Sequence, residues 1–256
     1  MFKAKEYVKV RSLEEAWQLN QKKSSVVIGG MMWLKMEKIN KQTIIDLSGL
    51  KLDTIKETDE LFSIGCMCTL RQLELHEGLN QYFNGIFKEC TRHIVGVQFR
   101  NGATVGGSVY GRFGFSDVLT CLMALDTYVE LYKGGIISLP QFLAMPADQD
   151  ILVRVIIKKD GRKAAYMTQR QTKTDFPLIA CAAAKKENRW YLSVGARPSR
   201  AKLIKMEAEE DRAAMIEKTV SQLNFGTNLR GSAQYRQELT KIYLRRLMDQ
   251  IDDGAN

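Results

Sequence analysis

Two pairs of adjacent glycines interrupt the apolar runs of this chain: VVIGGMMWLKM, from Val26 to Met36, and ATVGGS, from Ala103 to Ser108. Glycine buries no side chain and costs backbone entropy, so a doubled glycine after an apolar run marks a turn or a place where the backbone comes close to something else. Adjacent glycines can also aim several backbone N–H groups at one point, which suits an anion such as a pyrophosphate. Either pair alone is weak evidence, and a plain turn is the competing reading for each.

Composition bounds the rest. The 256 residues are 45% hydrophobic and 26% charged, enough for a large core in one composite domain or two. No apolar stretch approaches the ~20 residues of a membrane span, and MFKAKEYVKV lacks the apolar centre of a secretory signal. The expectation is a cytoplasmic protein with no membrane segment. The net charge of +9 raises the question of nucleic acid, but the basic residues are dispersed, the densest groups being pairs such as Lys185-Lys186 and Arg245-Arg246. No nucleic-acid partner is expected. Cys66, Cys68, Cys90, Cys121 and Cys181 are scattered among apolar neighbours and read as buried small hydrophobes. Neither they nor His76 and His93 form a metal or triad pattern, so no metal site is expected.

Patterning divides the chain into three zones. To about Leu50 it reads strand, helix, strand, strand, the helix opened by Ser12 with Glu15 at capping-box spacing, the strands at Tyr7–Val10, Ser25–Ile28 and Thr43–Leu47. From Leu61 to about Lys158 the pattern gives a strand at Leu61–Gly65 and a helix from Thr69 with Gln72 as its box partner. The glycine-rich GVQFRNGATVGGSVYGRFG follows, then a helix over Ser116–Ala124, an alternating strand at Asp126–Tyr132 and another strand at Ile151–Ile157. In this reading each double glycine ends a β-branched strand. From Ala164 strands at Ala164–Gln169, Leu178–Ala184 and Trp190–Val194 suggest a three-stranded antiparallel meander. Helices are expected over Lys202–Leu223 and Ser232–Ile251, the last burying Tyr235, Leu239, Ile242, Tyr243 and Leu247 on one face.

No Gly-Lys-Ser/Thr phosphate loop and no Gly-x-Gly-x-x-Gly is present. Thr104 and Ser108 set hydroxyl donors beside the second glycine pair, and Ser116-Asp117 opens a helix whose positive end favours negative charge. Asp117 itself suits a sugar hydroxyl or an exocyclic amine. Two anion loops plus a hydroxyl acceptor describe a dinucleotide such as FAD.

Several segments, in order, then resemble one family. VVIGGMMWLKM resembles an Ala-Gly-Gly-Thr-Asp-Leu segment, SIGCMCTLRQLE an Ile-Gly-Ala-x-x-Thr segment, and QFRNGATVGGSVYGRFGFSDVLTCLMALDTYVEL an Arg-Asn-x-x-Thr-Ile-Gly-Gly-Asn…Ser-Asp segment. NLRGSAQYR resembles Asp-x-Arg-x-Ser-x-x-Tyr-Arg. These belong to the FAD-binding subunits of molybdenum hydroxylases, the flavoproteins of xanthine dehydrogenase and carbon monoxide dehydrogenase.

The resemblance implies an α+β fold: a two-part FAD-binding α/β domain over 1–160, with subdomains of about 1–55 and 56–160, and a C-terminal domain over 161–256 with a three-stranded antiparallel sheet and helices. It implies FAD with its pyrophosphate on the backbone of Val27, Ile28, Gly29, Gly30, Met31, Met32, Trp33 and Leu34 and on Thr104, Val105, Gly106, Gly107 and Ser108. Ser116 and Asp117 would stand on the adenosine side, and Leu152 near the flavin, with Trp33, Tyr110 or Phe113 as candidate walls. It further implies partner subunits carrying a molybdenum cofactor and iron-sulfur clusters, with NAD as a common acceptor and no acid, base or nucleophile required of this chain.

The sequence departs from the pattern at Met31-Met32 for Thr-Asp, Ser108 for Asn, Phe115 for Pro, and Thr168 where a Lys is common, with Arg170 near enough to substitute. Two other functions compete: a stand-alone flavin oxidoreductase, for which the C-terminal zone leaves little room, and a non-catalytic assembly subunit that has lost flavin.

Overall fold

The computed structural model describes residues 1–209 and 211–254. The chain forms two compact units that interleave along the sequence: Met1–Gln72, Val97–Gly111 and Thr127–Ile157 make the first, and Leu73–Gly96, Arg112–Asp126 and Lys158–Asn256 the second.

The first unit opens with a parallel three-stranded sheet in the order β1-β3-β2, from β1 (Lys3–Lys9), β2 (Ser25–Ile28) and β3 (Asn40–Asp46). The crossover helix Leu13–Asn20 begins where expected: Ser12 Oγ accepts the Glu15 N–H at 3.1 Å, while the Glu15 carboxylate reaches back to the Arg11 N–H at 2.8 Å. Caps of this kind contribute about 1 kcal/mol. A five-stranded sheet follows in the order β4-β5-β8-β6-β7, from β4 (Ile55–Glu57), β5 (Leu61–Gly65), β6 (Thr127–Leu131), β7 (Gly135–Ser138) and β8 (Leu152–Lys158). Its strands alternate as half-buried strands do: Phe62, Ile64, Val129, Leu131, Val155 and Ile157 are buried, while Ser63, Glu130 and Arg154 are only partly covered.

The second unit is built on an antiparallel sheet of four strands in the order β12-β11-β10-β9, from β9 (Lys163–Gln169), β10 (Ile179–Lys186), β11 (Arg189–Gly195) and β12 (Lys202–Glu207). In β10 the run Ile179–Ala184 is buried on both faces, which is why it reads as continuous apolar sequence. The helix Asp117–Ala124 comes so close to β11 that a Cβ on Gly195 would lie 2.1 Å from Thr120 Oγ1. The helices Arg212–Ser221 and Ala233–Asp252 complete a core with Leu192, Val194, Ile204, Met215, Leu244 and Leu247.

Three expectations are corrected. The meander has a fourth strand: Lys202–Glu207 is β12 and not the start of a helix, because Ile204 and Met206 are buried in alternation with exposed Lys205 and Glu207. Residue 210 of the expected helix lies outside the described residues. Gly106 and Gly107 lie inside the short helix Val105–Tyr110 and not at a strand end. In the last helix the buried face is Arg236, Thr240, Leu244, Leu247, Met248 and Ile251, so Tyr235 and Ile242 face outward at 48% and 45% exposure. Among the described residues no helix is long and apolar enough to cross a membrane.

Candidate functional site

In the first unit the two glycine pairs meet. A Cβ on Gly29 would fall 2.2 Å from Thr104 Oγ1, one on Gly30 would fall 1.4 Å from the Gly102 carbonyl oxygen, and one on Gly102 would meet Met32 Sδ at 2.8 Å. The loop after β2 therefore lies backbone to backbone on the segment from Gly102 to Thr104, and glycine is required for that contact before any ligand is considered.

The two loops offer different chemistry. In the first, among the described residues, the N–H groups of Gly29, Gly30, Met31 and Met32 donate to no protein acceptor, and all four residues are half-buried. Met31 has φ 55°, a left-handed conformation that a side chain adopts at a cost of about 1 kcal/mol. Successive free N–H groups around a left-handed residue form the concave arrangement that suits an anion. Trp33 packs on Phe99 with ring centroids 5.1 Å apart, and Leu34 starts the short turn Leu34–Met36.

In the second loop the N–H groups are spent. Val105 N donates to Cys68 O and Gly106 N to Cys66 O, both at 2.8 Å, while Gly107 N donates to Thr104 Oγ1 at 3.1 Å. Ser108 Oγ and N both donate to Thr104 O at 3.1 Å. What this loop offers is close approach: a Cβ on Gly107 would meet only Thr104 Oγ1, at 3.2 Å, with nothing else within 4 Å. Cys66 N donates to Val153 O at 3.0 Å, which ties the start of β8, and with it buried Leu152, to this loop through Cys66.

Ser116, Asp117 and Thr168 lie in the second unit. Ser116 caps the helix Asp117–Ala124, its Oγ accepting the Leu119 N–H at 3.1 Å. Asp117 is 4% exposed, and its Oδ1 accepts from Tyr166 Oη and from Arg170 Nη2, both at 2.5 Å. Burial raises the Asp117 carboxyl above its ordinary range, although the Arg170 charge and the Tyr166 hydrogen bond pull it down. Thr168 Oγ1 donates to Ile179 O at 3.0 Å. The two candidate polar contacts, Asp117 and Arg170, are thus engaged with each other.

Like Trp33, the other two candidate flavin walls have partners within the protein. The Tyr110 hydroxyl donates to Asp148 Oδ1 at 2.6 Å, and Phe113 stacks on Phe115 at 5.2 Å between ring centroids. Sequence reasoning missed the role of NLRGSAQYR, which the second unit makes plain. Arg236, 1% exposed, donates to the carbonyls of Leu178 and Ala196 and to Asn228 Oδ1, while Ser232 caps the helix that carries it. The motif marked Arg236 but not its burial, because an arginine four residues into a helix reads locally like a solvated one.

Four free N–H groups at a left-handed bend, lying against the segment Gly102–Thr104, suit the diphosphate of a dinucleotide at the level of backbone alone. An α+β chain with such a site belongs among nucleotide-cofactor proteins. Residues 2–159 match the family described as the FAD binding domain in molybdopterin dehydrogenase, and the chain belongs to that family, an FAD-binding component of oxidoreductases. It is 24% identical over 238 residues to the protein YgfM of Escherichia coli K12, covering 90% of each chain. It is 24% identical over 274 residues to the glyceraldehyde dehydrogenase medium chain of Sulfolobus acidocaldarius, covering 96% of this chain and 97% of that one. Among solved structures it matches carbon monoxide dehydrogenase of Hydrogenophaga pseudoflava with a TM-score of 0.84 at 18% identity, over 96% of both chains.

Proposed function

We propose that this chain is the FAD-carrying electron-transfer subunit of a molybdenum hydroxylase assembly, taking electrons from an iron-sulfur subunit that drains a molybdenum subunit and passing them to NAD or another acceptor. The observation that carries the reading is the unclaimed N–H row from Gly29 to Met32, set in a chain of this family. The Sulfolobus relative is named a medium chain, and the Hydrogenophaga structure is described as lacking the Mo-pyranopterin moiety of the molybdenum cofactor, so both names point to a multi-subunit molybdenum enzyme.

Bound FAD supplies the redox chemistry of its ring. The chain's own task is to bind and orient. The N–H groups from Gly29 to Met32 hold the diphosphate, with Val27, Ile28, Trp33 and Leu34 framing them. Thr104, Val105, Gly106, Gly107 and Ser108 present a helix surface with no side chain at Gly107, and Leu152 supplies apolar packing. Met31 and Met32 have no hydroxyl or carboxylate, so the grip comes from the backbone and side-chain polarity adds nothing to it.

The experiment is direct. The purified protein is expected to be yellow, absorbing near ~370 and ~450 nm from oxidised flavin, and to copurify with molybdenum-bearing and iron-sulfur-bearing proteins. A protein that is colourless and does not rebind FAD ends the electron-transfer reading; a yellow protein that purifies alone and turns over a substrate favours a stand-alone oxidoreductase. Bleaching of the long-wavelength band by NADH identifies NAD as the exchange partner.

A further inference from the structure

A second concentration of unclaimed donors lies in the first unit, on residues outside the two glycine loops. Lys51, Thr54, Lys56, Ser63 and Arg154 line a concavity of about 60 Å³ beside β4, β5 and β8. All five side chains can donate hydrogen bonds, and no carboxylate is in the lining.

Among the described residues, the side chains of Lys51, Thr54, Lys56 and Ser63 make no hydrogen bond or ion pair with the protein. Unlike Lys133, Lys185 and Lys241, which are paired with Glu14, Asp252 and Glu217, Lys51 and Lys56 have no carboxylate partner among the described residues. Arg154 places its Nε 2.8 Å from Glu130, and neither of its terminal nitrogens is claimed.

The fold gathers these groups deliberately. Lys56 and Ser63 are direct partners across the β4–β5 ladder. A Cβ on Gly65 would fall 2.1 Å from the Leu52 carbonyl oxygen, and Gly65 N donates to Thr54 O at 3.0 Å, so the segment carrying Lys51 and Thr54 lies down against β5. Lys51 is held at φ 54°, a left-handed conformation that a residue with a side chain takes only where its surroundings fix it.

Charge and size choose the ligand. Three cations against the single carboxylate of Glu130 leave two positive charges in excess, matching a dianion. A water needs about 10–15 Å³ of such space, so 60 Å³ leaves room for a compact tetrahedral oxyanion. Donors from five side chains also exceed what a planar carboxylate of about four lone-pair sites accepts.

We propose that this concavity is a phosphate site, taking inorganic phosphate or the terminal phosphate of a monoester whose organic part lies outside. It uses none of the residues of the glycine loops and does not rest on the flavin reading.

The test is calorimetric titration of the purified full-length protein with inorganic phosphate and with AMP at constant ionic strength, adenosine serving as control. Saturable binding of one phosphate per chain is expected, reduced at least tenfold in Lys56→Ala and in Arg154→Gln and unchanged in Lys163→Ala, which removes an exposed lysine of the other unit. Tighter binding of AMP than of phosphate identifies a monoester ligand, and weaker binding identifies the free ion; either supports the site. No saturable binding, or affinity unmoved by both pocket variants, overturns it. Lys56 is exposed, so its variant stays folded and carries the test if Arg154→Gln does not. Flavin content, read in the same samples, is expected to be equal in all variants, so a failure here is distinct from a failure of the flavin reading.

Discussion

Gly30 lies against the carbonyl of Gly102, so that a Cβ added to Gly30 would stand 1.4 Å from that oxygen, whereas one added to Gly107 would meet only Thr104 Oγ1 at 3.2 Å. The two glycine pairs therefore answer differently to the same substitution. Gly30→Ala forces two backbone segments apart and is expected to cost about 3 kcal/mol or more, beyond ordinary overpacking. Gly107→Ala sits in the helix Val105–Tyr110, where alanine is favoured over glycine by about 1 kcal/mol, so its fold is kept. With the diphosphate drawn up to that helix, Gly107→Ala loses flavin while its urea midpoint holds, and Gly30→Ala loses both. A fully loaded Gly107→Ala protein would remove the second loop from the diphosphate site.

Asn228 offers a neutral oxygen to a buried cation. Burial holds the Arg236 guanidinium below its ordinary pKa, with the nearby Arg230 charge adding to the effect. Its acceptors are the carbonyls of Leu178 and Ala196 and the amide oxygen of Asn228, none of them charged. Asn228→Asp supplies the missing charge at the same position. Hydrogen bonds to charged groups contribute about 1.5–3 kcal/mol, but position 228 is exposed and solvent screens the gain, so about 1 kcal/mol of added stability is expected. An unchanged or lower urea midpoint would show that the carbonyls already compensate the cation.

What could be read in advance follows from the range of the interactions. Several elements were legible because their signals are local: Ser12, Thr69 and Ser116 cap helices three residues away, and β2 and β5 occupy the stretches their β-branched runs mark. The meeting of the glycine loops was legible in kind, since doubled glycine announces close approach, but its partner was not: Gly30 meets Gly102, 72 positions later in the sequence. The helix around Gly106 and Gly107 was illegible because it is held from outside, by the carbonyls of Cys66 and Cys68. In KLIKME every residue but Ile204 is a good helix former, and its period of two emerges only when β11 pairs with it. Lys56 and Ser63 share a site only through strand register, which no local spacing shows.

Asp160 provides a pH signature in the second unit. Burial alone would raise its carboxyl, but the hydrogen bonds and charge of Arg162 outweigh burial and hold it below the usual carboxylate range. Arg162 Nη2 lies 2.7 Å from Asp160 Oδ2, and the two side chains are 5% and 12% exposed. A lowered folded pKa means stability that is present above the unfolded carboxylate value of about 3.9 and is lost as pH falls through the folded value. Asp160→Asn removes the charge at every pH. It is expected to cost about 2 kcal/mol at pH 7, the scale of a charged hydrogen bond, and to draw level with the native protein as pH falls through the folded value. Urea unfolding at pH 7 and near pH 3 checks it; a penalty independent of pH would assign the loss to shape and not to charge.

Asp117 and Arg170 carry the opposite sign. Burial raises the Asp117 carboxyl, and the Arg170 charge is the main influence pulling it back. A raised folded pKa means stability that is fully present below the unfolded value and is lost as pH rises through the folded one. Arg170→Met strips away the counter-charge, pushes the carboxyl higher still, and leaves Asp117 to be buried as an anion at alkaline pH. Its penalty is therefore expected to be small near pH 4 and to grow to about 3–5 kcal/mol by pH 8. Asp117→Leu alone leaves the Arg170 guanidinium, only 6% exposed by side chain, without its carboxylate, and is expected to cost a similar amount. The double variant removes both charges, so most of the loss should be recovered, with a coupling of about 2–3 kcal/mol in a double-mutant cycle. Additive penalties across that cycle would mean that each side chain serves the second unit separately, and the ion pair would then be a consequence of packing and not a cause of it.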